Sequence, residues 1–466
     1  MKRMLVLCPG PWDRQALARP ALRARYEPVF AAQLYDLPLL RLACFFDLFR
    51  YARGIAQAHR GARPAGVIGT GDYPGCMLAA LVAEELGLPA PAARPVVLLS
   101  HKFYSREIQR RAVPEATPAF EAIDPLAPRE PRTLTYPFFV KPVKGTMSFR
   151  AQAVRGPEEL RRALRFTLAE QIQCQIVLKP FSQLLRAYTD GRVQAHAFIA
   201  EEPLSQVQVT VDGFVEGGRV VVMGIVDSVM YPGTISFQRF ELPSRLPARV
   251  QARMVDVVTR LMAGAGFDQG CFNVELFHDP ARDTLHVIEV NPRMSYQFSS
   301  LYERVSGKST FDVQLALAAG EPVGWTPGQG PDRAAASFVM RRFTDARVVS
   351  APTRGEIARA EGRYRGTAIH VLCAAGDRLS DHYQDVGSFR YAIVNLSAPS
   401  HEELHARYGE IERMLPFTFE PRGRGGSAGD RSAVGDRSAA GDRSAVGDRS
   451  AVGAPAAAVA QQEPWL

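Results

Sequence analysis

Lysine is scarce in this chain. Of its 56 basic residues six are lysine (Lys2, Lys102, Lys141, Lys144, Lys179 and Lys308) and the other fifty are arginine. Where arginine is the default, a retained lysine points to a place that needs a compact ammonium and not a planar fork. Long apolar runs are absent too. None approaches the ~20 residues of a membrane span, so no membrane partner is expected. The opening MKRMLVLCPGPW has a basic head, but its apolar run is too short for a signal peptide and reads as a first strand. Cysteine is sparse, and the six (Cys8, Cys44, Cys76, Cys174, Cys271, Cys373) form no CxxC pair. That argues against a zinc site and predicts free thiols in a reducing cytoplasm. The net charge of +8 is nowhere concentrated among interleaved aromatics, which argues against a nucleic-acid partner. Diffuse arginine gives solubility and some attraction for anionic substrates.

What is present is ordinary for a globular protein: 46% hydrophobic and 22% charged residues in a length of 466, which as a prior fits about three domains. One stretch stands out, FNVELFHDPARDTLHVIEVNPR at 272–293. Asn273 to Phe277 and Thr284 to Asn291 have strand composition, joined by a polar loop containing Asp279-Pro280. Side chains alternate along a strand, so Glu289 and Asn291 share a face. A hairpin in simple register sets Glu275 opposite Glu289. Two carboxylates brought close repel unless a cation lies between them. An all-oxygen set suits a hard ion such as Mg²⁺, which takes its other ligands from water and substrate phosphates. Arg293 continues the same face if the strand persists, where a guanidinium could neutralise a transferring phosphoryl group. For a lone Glu the plainer reading is a solvated charge. It weakens here because Val274, Leu276, Val287, Ile288 and Val290 flank the acids.

The pattern E-(x)13-E-x-N-P-R resembles the metal-binding core of the ATP-grasp superfamily, and the chain after it, a loop and then a helix ending in glycine, is similar as well. The resemblance implies an ATP-grasp fold, α/β and α+β in class: a nucleotide cleft between two subdomains, with ATP and Mg²⁺ (or Mn²⁺) as cofactors and Glu275, Glu289 and Asn291 as metal ligands. It places Lys102 and Lys141 at the phosphates. The plainer alternative for Lys102 is a solvated helix lysine, on a helix that Ser100 would cap. Lys144, Gly145 and Ser148 match the phosphate loop, which departs from the family in holding only one glycine. Glu201 and Leu204 fall where the family contacts adenine. Gln208 falls where the family usually holds the ribose with Glu, and an amide keeps an acceptor there but no charge.

In chain order, residues 1–100 resemble the N-terminal α/β domain that precedes ATP-grasp modules. Met4 to Cys8 and Ala65 to Thr70 read as strands, 14–63 as mostly helical, and Cys76 to Leu86 as a helix closed by Gly87. GTGDYPG after the second strand fits a phosphate nest or plain turn geometry, and the glycines favour the turn. Family precedent makes Asp72 and Tyr73 acceptor contacts. The ATP-grasp domain is expected over 101–325, divided into a small subdomain (101–198) and a metal-binding subdomain (199–325). Residues 171–195 resist placement, and Lys179 receives no role. Val207 to Phe214 reads as a strand by its alternation and Arg219 to Val226 as its partner, with Asp212-Gly213 marking the turn region before the latter, and 334–343 as a strand whose Arg341 or Arg342 is more simply a surface ion pair than a carboxylate clamp. A small α+β subdomain is expected over 326–420. The six-residue GDRSAV repeats of 421–466 cannot bury a core and read as a disordered tail.

The resemblance implies an ATP-dependent carboxylate–amine (or carboxylate–thiol) ligase working through an acyl phosphate, with Arg293 as its catalytic group. Its partners would be small carboxylates and amines, and a homodimer is allowed. The alternatives are a biotin-carboxylase-like enzyme, whose base position holds Gln297 here, and an ATP-binding protein without turnover.

Overall fold

The computed structural model describes residues 1–32, 46–145, 150–204, 207–382, 384–385 and 387–421. Ser148, Cys44 and the repeat tail, apart from Pro421 at the end of the last strand, lie outside these described residues.

The N-terminal unit is built on a three-stranded parallel sheet with Lys2–Leu7 between Tyr26–Ala31 and Gly66–Ile68. Met4 to Leu7 are all buried, as befits a parallel strand covered on both faces. The expectation of helix through 14–63 is corrected by the Tyr26–Ala31 strand. Its β-forming Tyr26, Val29 and Phe30 are outnumbered by the Ala, Leu and Arg on either side. Pro28 is tolerated because this is an edge strand of the sheet. Met77–Leu86 is helical, and Gly87 ends it in the left-handed conformation at φ +68°, as expected of a C-terminal glycine.

Ser100 is not the cap of the next helix. It ends the helix Ala93–Ser100, and His101 caps Lys102–Ala112, its Nδ1 accepting from the Tyr104 N–H at 3.4 Å. A four-stranded antiparallel sheet follows, ordered Phe120–Ile123, Phe198–Glu201, Phe138–Pro142, Gln152–Val154. Most of the stretch that resisted placement, as far as Tyr188, belongs to the helix Leu168–Tyr188, opened by a reciprocal cap between Thr167 and Glu170.

The remainder is organised by one large antiparallel sheet. Its order is Thr284–Asn291, Gly270–Asp279, Val207–Glu216, Arg219–Met230, Phe237–Leu242, Ala334–Arg342, Ser388–Ala398, Ala368–Val371, with Gln384–Asp385 paired to the seventh. Strands from the C-terminal part thus continue the sheet that begins with the hairpin. Asp212 and Gly213 lie within a strand and are not its turn; the turn is Gly217-Gly218, with φ of +59° and +77°, a pair suited to a tight hairpin. Gly213 is required for another reason: a Cβ there would stand 2.3 Å from the Phe272 ring. Arg341 is buried and not at the surface. Its strand is internal to the sheet, and its Nε donates to the Phe237 carbonyl at 2.9 Å.

A single apolar core joins Leu5, Val67 and Leu78 of the N-terminal unit to Val211, Val274 and Leu276 of the large sheet and to Val257 and Leu261 of the helix Ala248–Gly264. This shared core holds the N-terminal unit against one end of the cleft above the sheet. The five described cysteines are free. Among the described residues no helix is long and apolar enough to cross a membrane.

Candidate active site

The hairpin closes in the register that alternation predicts, Glu275 opposite Glu289 and Asn273 opposite Asn291. Both carboxylates face a cavity of about 430 Å³ lined by the N-terminal unit, the small sheet and the large sheet. Burial and the neighbouring Glu289 charge push the Glu275 carboxyl up from its ordinary range. Burial works against Glu289 as well, but the Lys102 ammonium, 3.0 Å away, together with Lys141, holds it down. One acid is therefore short of positive charge while its neighbour is supplied.

Arg293 is carried differently from the sequence expectation. The strand stops at Asn291, Pro292 follows, and the Arg293 N–H donates to the Asn291 carbonyl at 2.8 Å in a tight turn. Its side chain still lines the cavity. Its Nε is buried without a hydrogen-bond partner, and no carboxylate among the described residues lies within ion-pair distance. Such a donor is costly to leave unpaired.

The lysines approach from the opposite wall. Lys102 Nζ also donates to the Gly145 carbonyl at 2.9 Å. Lys141 Nζ lies 2.8 Å from Glu201, and Glu201 also receives Arg106 Nε at 2.8 Å. Burial opposes ionisation of Glu201, but Arg106 and Lys141 together bring its carboxyl down to about 2. Burial lowers Lys141, with Glu201 offsetting part of the effect. Glu201 and Leu204 line the cavity, but the Glu201 carboxylate is engaged by these cations. Gln208 donates its amide to Glu275 at 3.0 Å. Lys144 turns to Asp72 of the N-terminal unit at 3.2 Å, over the rings of Tyr73 and Phe181. Lys102, Lys141, Gly145, Glu201, Leu204, Gln208, Glu275, Glu289, Asn291 and Arg293 thus share one cavity, whereas Lys144 lies behind it.

Sequence reasoning missed two groups. Arg106 is fully buried and ties three elements together through Glu201, Gln109 and the Ile288 carbonyl, the last at 2.9 Å. It lies four residues after Lys102 on one helix, so the i, i+4 spacing was a usable signal. Asp212, fully buried, accepts from Asn273 at 2.9 Å, Ser295 at 2.7 Å and Tyr302 at 3.0 Å. Asn273 Oδ1 in turn accepts the Asn291 amide at 3.1 Å. This chain fixes the amide of Asn291 and leaves its Oδ1 without a protein partner among the described residues. Alternation from Gln208 and Thr210 to Asp212 was the available signal.

Among the described residues no three His, Cys, Asp or Glu come together as a metal-holding group. The hairpin offers two carboxylates and one amide oxygen. That all-oxygen, incomplete set, with one acid already raised by burial and by its neighbour's charge, fits a hard divalent cation that keeps other ligands of its own.

The buried Arg106–Glu201–Lys141 cluster carries a stability prediction. Glu201 is depressed from 4.5 to about 2, so its stabilisation is present above pH 4.5 and is lost as pH falls toward about 2. Glu201→Gln leaves two buried cations underpaired and should destabilise the fold by about 3–5 kcal/mol. Melting curves from pH 7 to pH 3 should show a lower Tm at neutrality and a shallower acid limb than wild type. An unchanged acid limb would show that the cluster does not govern it.

Comparison with known proteins agrees with this geometry. A family model described as ATP-grasp domain matches residues 134–300. Among solved structures, the chain is similar to an L-amino acid ligase from Bacillus licheniformis, with TM-score 0.66 and 19% identity over 90% of this chain and 99% of that one. Phosphoribosylglycinamide synthetase from Anaerococcus prevotii matches at TM-score 0.60 and 12% identity, covering 90% and 100%. The biotin carboxylase domain of Hydrogenobacter thermophilus 2-oxoglutarate carboxylase, solved with MgADP and bicarbonate, matches at 0.61 and 15%, covering 90% and 91%. At these identities the likeness establishes the fold.

Proposed function

We propose that this chain, which carries an ATP-grasp domain, is an ADP-forming ligase that joins a carboxylate to an amine through an acyl phosphate. The observation that carries the reading is the Glu275–Glu289 pair, set face to face in a cleft whose opposite wall presents Lys102 and Lys141.

Glu275, Glu289 and the Asn291 amide oxygen would hold Mg²⁺, which when bound supplies charge neutralisation for the nucleotide's phosphates. Lys102 and Lys141 are placed to exchange their carboxylate partners for phosphate oxygens. Asp212, acting through Asn273, keeps the Asn291 oxygen turned to the cleft. Phe139, Leu204 and Ile288, which line the cavity, would form an apolar slot for the adenine. A substrate carboxylate oxygen attacks the γ-phosphorus, and ADP leaves. The amine then attacks the acyl carbon and inorganic phosphate leaves. Arg293 faces the charge that develops on the phosphoryl group in flight. Phosphoryl transfer of this kind needs positioning and charge neutralisation, and no nucleophilic Ser or Cys.

A biotin-carboxylase-like course is disfavoured by Gln297. Its amide donates to Ser337 Oγ at 3.0 Å, and an amide takes no proton at neutral pH. The deciding experiment is a screen of carboxylate–amine pairs with MgATP, reading ADP and phosphate release. The reading predicts release that requires both an acid and Mg²⁺. Tight ATP binding with no ADP from any pair would contradict it.

A further inference from the structure

We infer that the carboxylate substrate carries a bulky apolar or aromatic side chain, held at the end of the cleft remote from the adenine slot. The inference rests on the ligase reading above and adds to it the class of acid.

The floor of the cleft is one sheet whose chemistry changes from strand to strand. The hairpin contributes Glu275, Glu289 and Asn291; Val207–Glu216 contributes Gln208 and Thr210; Arg219–Met230 contributes Met230; and Phe237–Leu242 contributes Phe237 and Phe240. Neighbouring strands are ~4.8 Å apart, so the aromatic pair lies roughly 15–20 Å across the floor from Glu289. Phe240 sits between Phe237 and Phe298, with both ring separations at 4.9 Å. Trp12 reaches in from the N-terminal unit and lies 6.1 Å from Tyr296. All five aromatic rings line the same cavity as the carboxylates.

The cleft thus has two apolar ends with a charged middle. A nucleotide accounts for one end and the middle: Phe139 and Lys141 share a strand, which makes the Phe139 end continuous with the phosphate lysines. The aromatic end is left for the other substrate. Arg293 and Phe298 are five residues apart on the segment that leads from the metal ligands into that end. An acid whose carboxylate meets Arg293 would therefore lay its side chain toward Phe237, Phe240 and Phe298. Contact with such rings rewards apolar area and penalises a second charge, which would lose its water without gaining a partner.

The test uses the full chain with MgATP and hydroxylamine, which intercepts an acyl phosphate whatever the natural amine. Phenylalanine, leucine, glycine, acetate and succinate are supplied one at a time, and ADP is measured. The expected result is a kcat/KM for phenylalanine and leucine about tenfold or more above that for glycine, acetate and succinate. Phe237→Asp should raise the KM for the preferred acid by a similar factor, with the KM for ATP moving far less. Trp12→Ala, on the opposite wall, should act in the same direction, which guards against a Phe237 variant that folds poorly. Preference for glycine, acetate or succinate, or insensitivity of the acid KM to both substitutions, would overturn the inference while leaving the ligase reading standing. No ADP with any acid would overturn both.

Discussion

Glu289→Gln should reduce Mg²⁺-dependent ADP formation by at least about a hundredfold, since loss of outer-shell support alone costs metal sites 10–100-fold. Gln keeps the size and one oxygen but removes the charge. Two partners feel the loss. A cation would lose an anionic ligand, and Lys102, whose ammonium stands 3.0 Å from Glu289, would lose the charge that raises it against the effect of burial. Glu275 would meanwhile be relieved of the neighbour that helps push it up. The signature is thus a turnover defect with a smaller loss of Tm than Glu201→Gln, because relief of Glu275 offsets part of what Lys102 loses. Steady-state ADP release across a Mg²⁺ titration, beside a melting curve, checks it. Wild-type turnover would remove Glu289 from the metal set.

Arg293→Met should cost about a thousandfold or more in kcat, the range seen when an arginine that meets a transferring phosphoryl is removed. Met keeps the apolar stem as far as the position of Nε and removes all five donors. Because Arg293 has no carboxylate partner within ion-pair distance among the described residues, the substitution breaks no direct ion pair, and its Nε is already unpaired; what it removes is the more distant charge that helps hold Glu275 down. Stability should hold, and the KM for ATP should change little compared with kcat. A loss confined to KM would place Arg293 in ground-state binding alone. Single-turnover measurements at saturating ATP separate the two.

The hairpin was legible because everything that sets it is local. Glu275 and Glu289 are fourteen residues apart, alternation fixes their face, and a short polar loop fixes their register. Lys102 and Lys141 were legible through a different cue, the scarcity of lysine and a matching family position, and the structure puts both in the cavity with the hairpin. What could not be read depends on contacts between distant segments. Arg106 meets Ile288 across 182 residues, and Lys144 meets Asp72 across 72. The aromatic end exists because Phe237–Leu242 is the fifth strand from the sheet edge, an order no local pattern states. The Asp212 misreading has a specific cause: Asp-Gly is a strong turn signal, and only the Phe272 ring pressing on Gly213 shows why glycine is needed inside a strand. The His101 cap was hidden by the stronger capping preference of Ser100 beside it.

One labelling measurement bears most directly on the central claim. The preferred acid is prepared with oxygen-18 in its carboxylate and turned over with MgATP and an amine, and the released phosphate is weighed by mass spectrometry. A ligase that passes the γ-phosphoryl to the acid predicts ADP together with phosphate carrying one oxygen-18 from the substrate. Unlabelled phosphate, or AMP and pyrophosphate in place of ADP, would contradict it.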